Sequence, residues 1–382
     1  MIMGFKLLPE VFWGAGSLKQ LADVLRNIKA EYVLVVTDQG IVKAGIADKV
    51  ISVAKEVCSR TEIFDQIEPD PKDTTVAACA AKYKNDRPDA IVAVGGGSCM
   101  DFGKAVNVLL YNDGTIQDYK NQWDAIPNLT GTLVTIPTTA GTGSELTDFA
   151  VISDTSTQQK VNLIGKSVVA TQAIVDPELT VGLPAGITAA TGMDALTHAI
   201  ESYACKTPND LSDMLSLKAV SLIYNNLKTC VVDDPTNIEA RSAVMMGSML
   251  AGCSFANALL GLVHGIAHPL GAVWHVPHGV ANAFGLPYVL EYEIPSEGER
   301  IINVGRAMGL TKEDLQPEDV IVAIKELMKA IHIPMMSEYG VKEDDLDRLA
   351  DLTMQEMGYI CNPVQPSKEE LVEILKKMYV RA

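Results

Sequence analysis

The chain has 382 residues, of which 48% are hydrophobic and 21% are charged. This composition is typical of a packed globular protein of one to three domains, and it excludes a disordered chain. The 48 acidic residues outnumber the 31 basic ones and give a net charge of −17, so we expect neither nucleic acid nor an anionic membrane as a partner.

The first half of the chain alternates strand and helix patterns. Short β-rich runs at 31–37, 90–94, 132–136 and 173–175 are separated by helical patterns such as 46–57 and 74–84. Continuous apolar runs of this kind are typical of strands buried on both faces, and the alternation predicts a parallel sheet with helical crossovers. We therefore predict an α/β domain over residues 1–182.

After residue 182 the β-branched runs disappear and helical periodicity takes over. The pattern predicts helices at 188–205, 210–228, 236–256, 257–271, 318–331 and 368–379. We expect an all-helical second domain over residues 183–382.

Cysteine use and the N-terminus bear on the compartment. The seven cysteines form no CxxC pair, and their number is odd, which favours reduced thiols over a disulfide framework. Residues 1–8 lack a basic region followed by a long apolar run, and no stretch reaches the roughly 18 apolar residues of a membrane span. We expect a cytoplasmic protein.

Three polar features follow predicted strands of the first domain. Gly95-Gly96-Gly97-Ser98 joins a strand to a helix, where backbone N–H groups can approach a phosphate. Asp38 ends another strand and could accept hydrogen bonds from a ribose diol. A hydroxyl-rich loop over 138–145 follows the third strand. Alternatively, these features are a tight turn, a helix-capping aspartate and a plain surface loop. The spacing is not GxGxxG, so an ordinary Rossmann unit is not expected.

Histidines cluster in the second half, where five of the six lie between residues 198 and 278. Asp194 and His198 are four residues apart on a predicted helix, so one ion could contact both. Spacing alone does not choose their partners from His264, His268, His275 and His278, whereas His332 is expected to be structural. An aspartate with imidazoles suits Fe(II) or Zn(II) and does not suit calcium.

With these motifs in hand, the sequence resembles the iron-containing (group III) alcohol dehydrogenases, a family that includes lactaldehyde/1,2-propanediol oxidoreductase and 1,3-propanediol dehydrogenase. The resemblance runs nearly end to end. The motifs that carry it most specifically are Thr138-Thr-Ala-Gly-Thr-Gly-Ser-Glu145, Ala190-Thr-Gly-Met-Asp-Ala-Leu-Thr-His198, His264-Gly-Ile-Ala-His-Pro-Leu-Gly271 and Pro277-His-Gly-Val-Ala-Asn282. It implies the dehydroquinate synthase-like fold.

The resemblance also implies roles for the histidines and for the polar loops. Asp194, His198, His264 and His278 would bind iron, with zinc as the alternative, while His268 would lie beside the metal near the nicotinamide and His275 would bind no metal. Asp38 would favour NAD over NADP. Further cofactor contacts would come from Gly96, Gly97, Ser98, Asp101, Thr138, Thr139, Thr147, Lys160 and Leu179.

Departures from the family pattern affect the substrate more than the chemistry. Cys99-Met100 follows Ser98, Asp70 stands where asparagine is usual, and the residues before Asn362-Pro363 lack a glycine pair. Phe149, at a position that is often polar in relatives, would line an apolar substrate pocket together with Phe255, Leu259 and Cys361.

The expected activity is hydride transfer between NAD(H) and a short-chain primary alcohol, diol or aldehyde. The metal would act as a Lewis acid, and His268 would pass the proton to solvent. Members of the family are typically homodimers or larger assemblies. The rival hypotheses are an NAD- and metal-dependent lyase or cyclase of the dehydroquinate synthase type, a metal hydrolase and a non-catalytic binding protein.

Overall fold

The computed structural model describes residues 5–6, 9–123, 125–157, 159–207 and 209–381. The chain divides into two compact units. An α/β unit comprises Leu7–Thr139 and Gly143–Gly182, and a helical unit comprises Leu183–Ala382 together with Met1–Lys6 and the short segment Ala140–Thr142.

The α/β unit is built on a six-stranded parallel sheet whose strands are β1 (Glu10–Trp13), β2 (Tyr32–Val36), β3 (Arg60–Phe64), β4 (Ala90–Gly95), β5 (Thr132–Pro137) and β8 (Gln172–Val175). They lie in the order β1-β8-β5-β4-β2-β3. Two further strands, β6 (Phe149–Asp154) and β7 (Gln159–Ile164), form a separate antiparallel pair. The helices of this unit are α1 (Gln20–Asn27), α2 (Gln39–Lys43), α3 (Ile46–Lys55), α4 (Asp73–Tyr83), α5 (Gly97–Tyr111) and α6 (Ile116–Tyr119).

The central strands are buried on both faces. In β2, Leu34 and Val36 belong to one apolar cluster, while Val33 and Val35 belong to another. Successive side chains of a strand point to opposite faces, so helices packed on both sides of the sheet require a continuous apolar run. That requirement explains why the four inner strands, β2, β4, β5 and β8, could be recognised in the sequence.

The helical unit packs its apolar faces into one large core that extends from Ala189 to Met378. Its helices are α7 (Ala185–Tyr203), α8 (Asp210–Lys228), α9 (Ile238–Ala258), α10 (Leu262–Trp274), α11 (His278–Met308), α12 (Pro317–Ala330), α13 (Leu346–Thr353), α14 (Met357–Cys361) and α15 (Lys368–Val380). No described helix is by itself long and apolar enough to cross a membrane, although α9 and α10 together meet that test across a 105° bend.

The structure adds elements that the sequence patterns did not predict. The edge strands β1 and β3 and the β6–β7 pair are among them, as is α11, a helix of 31 residues. Pro287 and Pro295 lie inside α11, and proline normally ends or kinks a helix. The six predicted helices of this unit all exist, with ends that differ by a few residues.

Candidate metal and cofactor sites

Asp194 and His198 project from α7, whose residues from Thr188 onward are mostly buried. The two residues lie one helical turn apart, and both side chains are at most 5% exposed. A buried aspartate beside a buried histidine is costly to maintain unless the pair is hydrogen-bonded or binds a cation. This burial already favours a metal site over two isolated polar residues.

His264 and His278 reach the same place from two other helices. His264 lies in the first turn of α10, and His278 is the first residue of α11, directly after Pro277. One ligand atom from each of these two histidines, and one each from Asp194 and His198, all lie within 4.8 Å of one another. The structure thus brings together the four ligands that the resemblance implied.

Hydrogen bonds fix the orientation of two of the imidazoles. His198 Nδ1 donates to the Gly141 carbonyl at 3.2 Å, and His264 Nδ1 contacts the carboxylate of Glu201. Each ring therefore leaves Nε2 as its ligand atom, since a hydrogen bond from the other ring nitrogen to a carbonyl or carboxylate is usual for a metal-binding histidine. Glu201 lies on the same face of α7 as the ligands, but the sequence analysis gave it no role.

Asn282 is a further residue of the site that sequence reasoning missed. It lies one turn after His278 on α11, and its Nδ2 donates to Asp194 Oδ1 at 2.7 Å. The same Nδ2 lies 3.1 Å from His264 Nε2 and 3.3 Å from His278 Nε2, while its buried Oδ1 has no partner among the described residues. The four-residue spacing from His278 was the signal that could have identified it.

The electrostatics of the cluster suit a divalent cation. Burial lowers the pKa of His198 and lowers that of His264 well below its usual value, so both rings are neutral and able to bind a metal at neutral pH. Burial raises the pKa of Glu201 to about 8, and a cation held by His264 would favour its charged form. One carboxylate with three imidazoles fits Fe(II) or Zn(II).

The remaining histidines stay outside this cluster. The His268 ring centre lies 5.6 Å from that of His278, and its Nδ1 is 2.9 Å from Glu356 Oε2. The side chain of His268 is 45% exposed. His275 and His332 are exposed residues with positive φ angles of 56° and 58°, and neither is a member of the four-residue group.

The residues predicted to line the substrate pocket differ in their surroundings. Phe255 is buried, and its ring stacks on the ring of His198 with centres 4.5 Å apart. One side of the four-residue group is therefore apolar. Leu259 is half-exposed and follows the end of α9 with a φ of 73°. Cys361 ends α14, and Phe149 begins β6 in the α/β unit. All four pocket residues remain predictions, and the contact of Phe255 with His198 supports one of them.

The predicted phosphate loops lie at the carboxyl ends of neighbouring strands. Gly95 ends β4, Gly96 and Gly97 lead into α5 with Ser98, and the backbone N–H of Thr138 donates to the Gly95 carbonyl at 2.9 Å. The hydroxyls of Thr138 and Thr139 are buried and have no hydrogen-bond partner among the described residues. Unpartnered buried hydroxyls are uncommon, and here they fit the polar groups of a bound dinucleotide.

Asp38 combines a structural contact with its predicted role. It caps α2, accepting from the N–H groups of Gly40 and Ile41, and its second oxygen accepts from the Cys99 thiol at 3.3 Å. These contacts hold the carboxylate at the end of β2 and leave acceptor capacity on it. Both alternatives considered for Asp38, capping and ribose binding, are therefore compatible.

The other residues predicted to contact the cofactor are buried or already paired. Asp101 is buried and already accepts from Ser144 Oγ and the Val151 N–H, so its contacts favour a positioning role over direct binding. Thr147 is buried, Leu179 is part of an apolar core, and Lys160 pairs with Asp70 at 2.7 Å on the surface.

Family models match both units. The model described as iron-containing alcohol dehydrogenase covers residues 9–177, and the model described as the C-terminal part of the Fe-containing alcohol dehydrogenase family covers residues 188–379. Together they account for nearly the whole chain.

Similar full-length proteins are alcohol dehydrogenases. The chain is 37% identical to alcohol dehydrogenase 4 of Saccharomyces cerevisiae over 99% of both chains. It is 36% identical to the NAD-dependent methanol dehydrogenase of Bacillus methanolicus, over 97% of this chain and 98% of that one.

Solved structures extend the similarity to three dimensions. A 1,3-propanediol oxidoreductase superposes with a TM-score of 0.95 at 34% identity, covering 99% of this chain and all of that one. The sulfoacetaldehyde reductase of Bifidobacterium kashiwanohense in complex with NAD+ superposes with a TM-score of 0.92 at 27% identity, covering all of both chains.

Proposed function

Because the chain belongs to the iron-containing alcohol dehydrogenase family, we propose that it interconverts a short-chain primary alcohol or diol and the corresponding aldehyde. Its reaction class is that of an NAD-linked alcohol dehydrogenase. The observation that carries the proposal is the convergence of Asp194, His198, His264 and His278 within 4.8 Å. A lyase or cyclase is not favoured, because the similar proteins are alcohol dehydrogenases.

The four clustered residues would hold the metal ion. When bound, a divalent ion supplies Lewis acidity toward the oxygen of the alcohol or aldehyde, and NAD accepts or donates the hydride. Asn282 keeps the Asp194 carboxylate oriented, while Gly141 and Glu201 keep Nε2 of two histidines available. The ring of Phe255 shields one side of the cluster from water.

His268 is the residue we assign to proton exchange with solvent. Glu356 lies within hydrogen-bond distance of its Nδ1, which leaves Nε2 as the proton acceptor. Its ring is half-exposed and neighbours that of His278, so a proton accepted there can leave without crossing the core.

The substrate is expected to be small and largely apolar around the reacting carbon. Phe255 supports this view through its contact with His198, and the resemblance adds Phe149, Leu259 and Cys361. A charged substrate would lack a partner on such a surface.

We also propose a cytoplasmic homodimer or larger homo-oligomer that uses NAD in preference to NADP. The seven free cysteines are compatible with a reducing compartment, and the Asp38 carboxylate would repel a 2′-phosphate. Light scattering on the purified protein and cell fractionation test the assembly and the compartment, respectively.

The experiment for the proposed activity is reduction of an aldehyde panel. The protein is loaded with Fe(II) or Zn(II), its metal content is measured, and NADH absorbance is followed with straight-chain aldehydes, hydroxyaldehydes and charged aldehydes. We expect turnover with short neutral aldehydes and little with charged ones. Absence of turnover with every aldehyde, in protein shown to hold metal, would overturn the proposal.

A further inference from the structure

Lys104 is a fully buried lysine of α5 to which the proposed reaction gives no role. Five oxygen atoms surround its Nζ at 2.7–3.1 Å: the carbonyl and Oγ of Ser144, the carbonyl and Oγ1 of Thr147, and the carbonyl of Phe149. An ammonium group has three protons, so these acceptors share them. This arrangement fixes one short stretch of backbone around a single charge.

Asp101 balances that charge from one turn earlier on the same helix. Its Oδ1 lies 3.8 Å from Lys104 Nζ and accepts from Ser144 Oγ at 2.6 Å, while its Oδ2 accepts from the Val151 N–H at 3.0 Å. Removing one member of a buried, hydrogen-bonded ion pair leaves the other uncompensated and is strongly destabilising. The pair therefore joins α5 firmly to the segment from Ser144 to Val151.

Both joined segments carry predicted cofactor contacts. Helix α5 begins with Gly97 and Ser98, and the held segment includes Thr147 and continues the loop that carries the unpartnered Thr138 and Thr139 hydroxyls. Binding a dinucleotide tightly requires that such groups already stand at the right spacing.

We propose that Lys104 is a positioning residue for the dinucleotide, acting through the Ser144–Phe149 backbone that its ammonium holds against α5. The proposal rests on the proposed NAD-linked activity. Lys104 need not touch the cofactor, because its effect passes through the two segments that it fixes.

The test is NADH binding by Lys104→Met, a change that keeps an unbranched side chain only one atom shorter and removes the charge. Affinity is read from NADH fluorescence without turnover, together with KM for NAD+, kcat at saturating NAD+, metal content and Tm. We expect at least tenfold weaker NADH binding and a similarly raised KM, with full metal content and kcat within about threefold of the wild type.

Lys84→Met is the matched control. Lys84 also holds two backbone carbonyls, those of Leu109 and Asn112, each at 2.8 Å, but at the far end of α5. We expect it to lower Tm while NADH affinity stays unchanged. If Lys84→Met weakens NADH binding as much as Lys104→Met does, the role of Lys104 is merely structural and the proposal fails.

Two milder variants address misfolding of Lys104→Met. The double variant Asp101→Asn/Lys104→Met removes both charges of the pair, and Ser144→Ala removes one hydroxyl that contacts both partners. Both should weaken NADH binding, Ser144→Ala by about twofold to fivefold. If Lys104→Met folds and binds NADH as tightly as the wild type, the positioning role alone is overturned. If Lys104→Met does not fold, wild-type NADH affinity in Ser144→Ala has the same meaning. A wild-type protein that binds no NADH would overturn the proposed function as well.

Discussion

The histidines in and beside the four-residue metal site differ most in how far they are exposed to water. His198 and His264 are buried and oriented by their Nδ1 contacts, whereas His268 is half-exposed and lies beside Glu356. A ligand benefits from a fixed ring and a dry surrounding, while a group that exchanges protons needs a route to solvent. These different surroundings support the two different roles that we propose for the same residue type.

His268→Ala should reduce turnover and leave the metal in place. We expect kcat to fall by about tenfold or more, a magnitude typical of a lost acid–base group, and the pH profile of kcat to change shape. The measurement is steady-state kinetics across pH with metal content determined in parallel, and His332→Ala, an exposed histidine outside the cluster, is the control. Full turnover with an unchanged pH profile would show that His268 moves no proton.

The family resemblance leads us to expect asparagine at the position of Asp70, and Asp70 pairs with Lys160 on the surface at 2.7 Å. If Lys160 contacts the cofactor phosphates, the Asp70 carboxylate competes for that ammonium and repels the phosphates. Asp70→Asn should therefore lower KM for NAD+, by about twofold to fivefold for an exposed pair.

Asp86→Asn provides the control for this change, because Asp86 forms a comparable exposed pair with Arg60 in the same unit. It should leave KM unchanged. An unchanged or higher KM in Asp70→Asn would exclude competition for Lys160.

The secondary-structure elements differ in how well they could be predicted from the sequence. Strands β2, β4, β5 and β8 were predicted because burial on both faces requires an apolar run, and α7 and α8 because their periodicity is uninterrupted. Strand β3 was not predicted, because an edge strand needs only one apolar face, as its sequence Arg-Thr-Glu-Ile-Phe shows. Helix α11 escaped because packing overrides its two internal prolines.

The start of α11 is placed by a close approach to α7. A Cβ on Gly279 would lie 2.1 Å from the Ala190 carbonyl oxygen and 3.1 Å from Asp194 Cβ. Gly279→Ala should push the helices apart, separate His278 from Asp194 and destabilise the fold by about 1–3 kcal/mol, as overpacking does. Thermal unfolding and metal analysis measure both effects.

Gly186→Ala is the control for that change. Gly186 lies in the first turn of α7, and nothing lies within 4 Å of a Cβ built there. We expect unchanged metal content and equal or slightly higher stability. A Gly279→Ala variant that behaves like Gly186→Ala would mean that the two helices can separate without disturbing the ligands.

Across the whole molecule, the sequence predicted a division at residue 182 and the ligand types, but it did not indicate which distant residues meet. His198 and His278 are eighty residues apart, and no local periodicity brings them together. The resemblance to known enzymes selected the four ligands, and the fold shows why they converge. Contacts such as that between Lys104 and Ser144 have no local signature and required the structure.

The stability of the whole chain should depend on pH through buried carboxyl groups such as Glu293. Burial raises the pKa of Glu293 from 4.5 to about 7. Because the folded state holds this proton more tightly than the unfolded state, protonated Glu293 contributes to the free energy of unfolding. This contribution is fully present below about pH 4.5 and is lost as pH rises through about 7. The pKa shift corresponds to about 3 kcal/mol.

Glu293→Gln should remove this part of the pH dependence. We expect the free energy of unfolding to fall less between pH 5 and pH 8 in the variant than in the wild type, as measured by denaturant titration. Glu291→Gln, at a partly exposed position of the same helix paired with Lys377, should behave as the wild type. Equal pH slopes in all three proteins would show that Glu293 does not hold the proton.

The metal content of His278→Ala beside that of His275→Ala tests the central claim most directly. The two histidines lie three residues apart, yet only His278 belongs to the four-residue cluster. After loading with Fe(II) and removal of free metal, we predict about one ion per chain in the wild type and in His275→Ala, and a large loss in His278→Ala. Full metal content in His278→Ala, or loss of metal in His275→Ala, would contradict the assigned set of four ligands.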